Sequence, residues 1–231
     1  MQPVWLFDLD NTLHNASPHI FPNINRSMTA YLMRELDLDE PAANRMRMDY
    51  WRRYGATLLG LMRHHGTDPR HFLHDTHQFP DLARMVVFDS ALHHLLRRLP
   101  GRKIVFSNGP RRYAEAVLDV MGIRHHFADV YSVEQMRFHP KPGIRGFRHL
   151  LRDHRLNPAR CIMVEDSAMN LRTAKRLGMT TVWISRSLRK PPFVDHRLPS
   201  VLGLARRAMR GARCAAPLRG KMPDSAPRAP R

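Results

Sequence analysis

The sequence predicts an α/β protein built on a doubly wound parallel sheet. Four short, continuous apolar runs recur along its 231 residues, as is typical of strands buried on both faces, and they cover residues 4–7, 104–106, 161–164 and 181–184. The helical segments between these runs end at Gly122 and Gly178, and glycine is the usual residue at a left-handed helix cap. Strands that alternate with capped helices indicate βαβ units, whose ligands bind beyond the carboxyl ends of the strands.

Residues 15–84 interrupt this alternation, because their apolar residues follow a helical period without a strand-like run. The period is clearest over residues 41–65, where we expect one helix even though Gly55 and Gly60 each cost roughly 1 kcal/mol relative to alanine. The sequence therefore predicts a small all-helical cap at residues 15–84, inserted after the first strand into an α/β core made of residues 1–14 and 85–210.

The composition excludes several classes of protein. A hydrophobic content of 43% is sufficient for a core, and two cysteines are too few for a disulfide framework or a four-thiolate zinc site. The first residues lack the features of a signal peptide, and no apolar run approaches the roughly 18 residues of a membrane span. We therefore expect a soluble, cytoplasmic protein with no membrane partner.

The net charge of +18 is high and would suit a nucleic-acid partner. Much of it lies near the C-terminus, since residues 186–231 hold twelve of the 38 lysines and arginines but only two acidic residues. Residues 211–231 are rich in proline, alanine and arginine and poor in large apolar side chains, so we expect a basic, disordered tail there. Because a charged run is more often a solvated surface than a binding site, nucleic-acid contact by this tail is not favoured.

Polar side chains suited to catalysis follow the apolar runs, at the points where the predicted strands end. They are Asp8 and Asp10 after the first run, Ser107 and Asn108 after the second, Lys141 between two prolines, and Glu165, Asp166 and Asn170 after the third. Each signal alone has an ordinary structural explanation, such as a turn, a helix N-cap or a surface lysine. Together they give the order acid pair, hydroxyl, lysine, acid pair at the edge where such sheets bind ligands. The combination predicts a site for an anionic group and a hard cation.

With these motifs the chain resembles the haloacid dehalogenase superfamily of aspartyl phosphohydrolases, which has a Rossmann-like core, over residues 3–200. Within the superfamily it is similar to the pyrimidine 5′-nucleotidase group in segments 7–13, 54–61, 105–108 and 164–170. The Tyr-Gly-x-Thr-Leu-x-Gly-Leu stretch at residues 54–61 is the most discriminating of these. Three residues depart from the group's pattern, since His14 stands for a common Tyr, Ser107 for a common Thr and Glu165 for a common Asp.

The resemblance implies an Mg²⁺-dependent phosphomonoester hydrolase that works through an aspartyl-phosphate. Asp8 would be the nucleophile, and Asp10 would be the general acid for the leaving oxygen and then the base that activates water. The metal ligands would be Asp8, the backbone carbonyl of Asp10, and Asp166, with Glu165 binding directly or through water.

The same resemblance assigns the other polar residues. Ser107 and the backbone N–H of Asn108 would bind the phosphoryl oxygens, and Lys141 would neutralise charge on the phosphate and the nucleophile. Asn170 would orient Lys141 or the acid pair. The implied substrate is a small-molecule phosphomonoester, specifically a nucleoside monophosphate.

The cap is expected to close over this site and to contact the part of the substrate that is not phosphate. Tyr50, Trp51 and Tyr54 have rings that could stack on a base, although aromatic residues at helical spacing more often form a core. The adjacent histidine pairs at 64–65, 93–94 and 125–126 lack the i, i+4 spacing of a helical metal site, so we expect surface residues there.

Two alternatives stay open. The first is a related enzyme for another small phosphomonoester, such as a sugar phosphate or phosphoglycolate, or a phosphosugar mutase. A dehalogenase is disfavoured, because that chemistry has no use for the second acid, Asp10. The second alternative is a nucleic-acid-binding protein whose α/β core is catalytically idle and whose basic C-terminal region binds phosphate backbones.

Overall fold

The computed structural model describes residues 2–205, so the predicted tail at 211–231 lies outside the described residues. Within them the sheet has six strands, all parallel: β1 (Val4–Phe7), β2 (Arg102–Phe106), β3 (Asp129–Tyr131), β4 (Cys161–Glu165), β5 (Thr180–Ile184) and β6 (His196–Leu198). Their order across the sheet is β3-β2-β1-β4-β5-β6, and the doubly wound α/β fold is confirmed.

The strand β1 lies at the centre of the sheet, where the strand order reverses. Phe7 is in register with Val105 of β2 on one side and with Val164 of β4 on the other. The residues that follow these three therefore emerge side by side at one edge. That edge is the crevice in which ligands of doubly wound sheets bind.

Alternate side chains of the central strands point to opposite faces of the sheet, and each face has its own apolar cluster. Trp5 and Phe7 of β1 belong to one cluster, and Leu6 belongs to the other. The second cluster continues into the helices inserted after β1 through Leu32 and Phe72, both of which are buried. The sheet and the inserted helices therefore share apolar packing on this face.

Helices fill the interval between β1 and β2 and then alternate with the strands. They are α1 (Ile20–Leu36), α2 (Glu40–Tyr54), α3 (Thr57–His65), α4 (Pro69–Thr76), α5 (Leu82–Met85), α6 (Ala91–Arg98), α7 (Arg111–Val120), α8 (Ile144–Asp153) and α9 (Ala168–Arg176). The first four lie inside the predicted cap interval 15–84, and we call them the cap helices. None of the helices in residues 2–205 combines the length and apolar character needed to cross a bilayer.

The prediction of one helix over residues 41–65 is wrong, because the chain forms α2 and α3 with a break at Gly55. Gly55 has φ = 81°, a left-handed conformation that ends α2, and its N–H donates to the carbonyl of Trp51 at 2.8 Å. Gly60 stays helical within α3, where a β-carbon would lie 2.2 Å from Cγ of Tyr50. The two glycines thus serve a sharp turn and a close helix–helix contact.

The sequence analysis found four of the six strands and missed β3 and β6. Each of these has three residues and begins with a polar side chain, Asp129 or His196, so neither forms a continuous apolar run. The glycine caps are as predicted, with φ = 69° at Gly122 and 89° at Gly178.

Candidate active site

Lys141 and Asp8 form the centre of a polar cluster at the carboxyl edge of the sheet. Asp8 follows β1 directly, and its N–H donates to the carbonyl of Val164 at 2.9 Å. The Lys141 ammonium donates to Oδ1 of Asp8 at 2.7 Å, to the carbonyl of Phe106 at 2.7 Å and to Oε2 of Glu165 at 2.8 Å. The lysine side chain is only 1% exposed, so its charge acts in a medium of low polarity.

The loop that carries Lys141 is fixed by the side chain of Asn108. Oδ1 of Asn108 accepts from the backbone N–H of Lys141 at 2.8 Å, and its amide nitrogen donates to the Lys141 carbonyl at 2.9 Å. Ser107 is buried beside it, and its Oγ accepts from the N–H of Gly109 at 3.0 Å. The side chain of Asn108 therefore positions the ammonium, a role that the sequence analysis did not assign to it.

Glu165 is held by contacts to both of its carboxylate oxygens. Oε1 accepts from the N–H groups of Asp166 and Ser167 at 3.1 and 3.0 Å, while Oε2 accepts from Lys141 and from the amide of Asn170 at 2.9 Å. Asn170 thus contacts Glu165, a member of the acid pair that the resemblance named as one possible partner of this side chain. The carboxylate oxygens of Asp8 and Asp166 accept fewer hydrogen bonds than those of Glu165.

The cluster carries more negative than positive charge. Carboxylate oxygens of Asp8, Glu165 and Asp166 lie within 4.8 Å of one another. Burial and the neighbouring Glu165 raise the pKa of Asp8, and burial, with further contributions from Glu165 and Asp8, raises the pKa of Asp166 to about 9. Burial alone would lower the pKa of Lys141, but Asp8 and Glu165 raise it overall, so the lysine stays charged.

These donors fit Mg²⁺, which prefers hard oxygen ligands and is usually held by one or two carboxylates together with water and substrate oxygens. Burial first, and then the neighbouring carboxylates, raise the pKa values of Asp8 and Asp166, and a bound divalent cation would favour the charged form of both. Asp8 and Asp166 are the side chains that fit as direct ligands, with Glu165 beside them.

Asp10 lies next to this cluster and has partners that the sequence analysis missed. The hydroxyl of Tyr113 donates to Oδ1 of Asp10 at 2.5 Å, and Nε2 of the buried His14 lies 2.9 Å from the same oxygen. His77 lies beside Tyr113, with ring centroids 5.6 Å apart and an interplanar angle of 58°, and burial lowers the pKa of His77 to about 4, so its imidazole is neutral at pH 7. Because both contacts use Oδ1, the second oxygen of Asp10 is the one suited to exchanging a proton with a ligand.

Two adjoining cavities open onto these residues, with volumes of about 720 and 530 Å³. The larger contains Asp8, Lys141 and Asp166, and the smaller lies under the cap helices between Arg47 and Phe72. Both are lined by Asp10, Phe21, Trp51, Gly55 and Asn108. They therefore form one polar compartment joined to one mostly apolar compartment.

The aromatic residues proposed from the cap differ in their placement. Trp51, which is 61% exposed, lines both cavities, and Tyr54 lines the larger one. Tyr50 lines neither of the two, because its ring packs over Gly60 and its hydroxyl lies 2.8 Å from Nε2 of His65. The structure therefore brings Trp51 and Tyr54, but not Tyr50, to the candidate site.

The histidine pairs are mostly exposed, as predicted for surface residues, and two of the pairs contribute to a group that the prediction did not include. His93 of α6 lies beside His125 and His126, with Nδ1 of His93 3.1 Å from Nε2 of His126. Residues far apart in sequence form this group, so the spacing within each pair gave no sign of it.

Comparisons with known proteins agree with the fold and identify the family. Residues 4–178 match the model of the haloacid dehalogenase-like hydrolase family. A phosphoglycolate phosphatase from Rhodospirillum rubrum is 30% identical over 209 residues, or 82% of each chain. The phosphate metabolism protein 8 of Saccharomyces cerevisiae is 25% identical over 193 residues, which cover 76% of this chain and 59% of the yeast protein. The crystal structure of a HAD phosphatase from Thermococcus onnurineus superposes with a TM-score of 0.60 at 21% identity, over 90% of this chain and 97% of that one.

Proposed function

The chain belongs to the haloacid dehalogenase-like hydrolase family, and from that premise we propose that it is a phosphatase that releases phosphate from nucleoside 5′-monophosphates, with a preference for pyrimidines. The observation that carries the proposal is the contact between Asp8 and Lys141 at the edge of a polar compartment, which continues into a smaller and more apolar one beneath the cap helices. The first compartment suits a phosphate, and the second suits a nucleoside.

Asp8 is placed to attack the phosphorus atom. Its carboxylate forms a new P–O bond while the bond to the leaving nucleoside oxygen breaks, which gives an aspartyl-phosphate on Asp8. Lys141 offsets the repulsion between this carboxylate and the phosphate dianion, since its ammonium is 2.7 Å from Oδ1 of Asp8. When bound by Asp8 and Asp166, Mg²⁺ supplies further positive charge to the phosphoryl oxygens.

Asp10 serves both half-reactions by moving one proton. It delivers the proton to the leaving nucleoside oxygen in the first step, and as a carboxylate it takes a proton from water in the second. The water oxygen then attacks phosphorus, which releases inorganic phosphate and restores Asp8. Tyr113 and His14 hold Asp10 through Oδ1 during both steps.

Ser107 and Asn108 bind the phosphoryl oxygens. The Ser107 hydroxyl is buried at the end of β2, and the N–H groups that follow precede α7, where the helix dipole favours an anion. Asn108 also has a second role, because its side chain holds the backbone of Lys141 in place through two hydrogen bonds. The phosphate and the lysine that neutralises it are thereby held by neighbouring groups.

The compartment beneath the cap helices supports a nucleoside as the leaving group. Its lining combines the rings of Phe21, Trp51 and Phe72 with the polar side chains of Asn25 and Arg47. An aromatic lining with few polar groups suits the stacking and edge recognition of a base. A volume of about 530 Å³ is also within the range of small-molecule sites.

Arg47 supports a second candidate, a phosphatase for phosphoglycolate or another small phosphomonoester that also carries a carboxylate. Its guanidinium donates to the amide oxygens of Asn25 and Asn44, and its buried Nε has no hydrogen-bond partner among the described residues. Burial lowers the pKa of Arg47, as expected for a cation that loses solvent. A substrate carboxylate would satisfy such a group. The 30% identity to the Rhodospirillum rubrum enzyme favours the same candidate.

The test is phosphate release from UMP, CMP, dUMP, dTMP, AMP, GMP, phosphoglycolate and several sugar phosphates, with Mg²⁺ and with EDTA. We expect Mg²⁺-dependent release that is fastest for the pyrimidine monophosphates and abolished in Asp8→Asn. Fastest release from phosphoglycolate, selectively lost in Arg47→Ala, would establish the second candidate instead. Release from none of these substrates by a folded protein would overturn the phosphatase proposal.

A further inference from the structure

Three histidines from two separate segments come together outside the candidate active site. His93 lies in α6, and His125 and His126 lie in the 3₁₀ turn Arg124–His126 that leads to β3. One ring nitrogen of each lies within 4.8 Å of the other two, and the ring centroids are 4.1 to 5.2 Å apart. None of the three lines either of the cavities around Asp8 and Asp10.

The backbone holds these rings together through buried neighbours on each segment. Leu92 anchors α6 in the core, and Ile123 and Phe127 anchor the two ends of the 3₁₀ turn. Gly122 lets the chain turn tightly after α7, and a β-carbon there would lie 3.6 Å from Nε2 of His93. The group is therefore built on fixed elements, with its rings directed outward.

The geometry points to a metal. We propose that His93, His125 and His126 bind a divalent transition-metal ion, with Zn²⁺ the best match. Imidazole nitrogen suits zinc, copper and nickel, whereas Mg²⁺ prefers oxygen, so this group and the Asp8 cluster select different ions.

The distances require only small movements of the rings. Two nitrogens bound to one tetrahedral Zn²⁺ at the usual bond length lie about 3.3 Å apart. Nδ1 of His93 and Nε2 of His126 are already 3.1 Å apart, and one ring nitrogen of each of the three histidines lies within 4.8 Å of the other two. Three histidine ligands leave the fourth position open to water or to an anion.

The surroundings set the expected strength of the site. His93 and His125 are exposed, so an ion can reach them directly from solvent. Arg97 and Lys103 lie close enough to act electrostatically on His126, and their charges repel a cation. We therefore expect affinity for Zn²⁺ below that of buried structural zinc sites, and stronger binding at higher salt, where this repulsion is screened.

The experiment is calorimetric titration of the full chain with Zn²⁺ in excess Mg²⁺, which occupies the carboxylate cluster. We expect one Zn²⁺ per chain, and binding weakened about tenfold or more in His93→Gln and in His126→Gln. The matched control is His94→Gln, because His94 is the exposed neighbour of His93 and its ring instead contacts Arg97 and Arg98. This control should bind Zn²⁺ as the unaltered protein does.

A second readout removes any dependence on one variant. Zn²⁺ should raise the Tm of the unaltered chain and of His94→Gln but not that of His93→Gln, because a ligand that binds the native state stabilises it. Exposure of His93 makes His93→Gln the variant least prone to misfold. Absence of Zn²⁺ binding in excess Mg²⁺, or equal binding by His93→Gln and His94→Gln, would overturn the proposal.

Discussion

Replacement of Lys141 by methionine should destabilise the protein strongly as well as abolish turnover. Methionine keeps most of the length of the lysine side chain but lacks the ammonium that contacts Asp8, Glu165 and the carbonyl of Phe106. Because the lysine is 1% exposed and Glu165 is equally buried, solvent cannot replace the lost partner. The variant would retain two buried carboxylates without their counter-charge.

The expected loss follows from the geometry. Removal of one partner from a buried ion pair costs about 3–5 kcal/mol, because the other charge remains desolvated. For a chain of this size that corresponds to a fall in Tm of about 6–20 °C. Loss of Lys141 also raises the pKa of Glu165, which burial alone would raise but which the lysine holds low. The free energy of unfolding of Lys141→Met should therefore fall further below that of the unaltered protein above about pH 4.5, which is the ordinary pKa of a glutamate. Below that pH the difference between the two proteins should become smaller.

The assay is urea unfolding, compared at equal m-values, with two companion variants. Lys175→Met removes the half-exposed ion pair of Lys175 with Asp195 at 2.6 Å, so it should cost at most about 1 kcal/mol. Adding Glu165→Gln to Lys141→Met removes one unpaired charge and should restore part of the stability. A Lys141→Met variant no less stable than Lys175→Met would refute the view that Lys141 compensates buried negative charge.

Three further outcomes are expected. Tyr113→Phe removes the hydroxyl that donates to Asp10, so kcat should fall about tenfold with KM nearly unchanged. An unaltered kcat would show that Asp10 does not need this hydrogen bond. Gly60→Ala should lower the free energy of unfolding by about 1–3 kcal/mol, because the new β-carbon would lie 2.2 Å from Cγ of Tyr50; a stabilised protein would contradict this contact. Mg²⁺ should raise the Tm of the unaltered chain but much less that of Asp166→Asn, and equal shifts would exclude Asp166 as a ligand.

The central part of the fold was predictable because buried parallel strands leave a clear trace in the sequence. Strand β1 and its neighbours β2 and β4 are apolar runs that end at polar residues, which is typical of strands buried on both faces. The edge strands β3 and β6 are too short for that trace. The break at Gly55 was missed because a glycine in a helical period is compatible with either a continuous helix or a left-handed cap.

The polar cluster was predictable for a related reason, since each of its members follows a strand or lies in a loop at the same edge. Tyr113 left no such trace, because its contact with Asp10 joins residues 103 positions apart and depends on how α7 packs. The contact between His14 and Asp10 is only weakly indicated by the sequence, since their i, i+4 spacing is compatible with a local contact. The group formed by His93, His125 and His126 is equally a product of tertiary packing.

The motif at residues 54–61 turned out to describe cap architecture. Gly55 ends α2 and lies against Pro142, where a β-carbon would meet Cδ of the proline at 2.8 Å. Gly60 admits the ring of Tyr50. In this chain the motif therefore serves the packing of the cap, both against the Lys141 loop and within the cap itself.

The two hydrogen bonds between Asn108 and the backbone of Lys141 bear on how this chain tolerates insertions and deletions. They join residues 33 positions apart, so the lysine is anchored locally and not by the length of the intervening chain. The position of the Lys141 backbone therefore depends more directly on Asn108 than on the number of residues between α7 and β3. Sequence changes there that spare the buried Ile123 and Phe127 should leave the Lys141 backbone in place as long as Asn108 is kept.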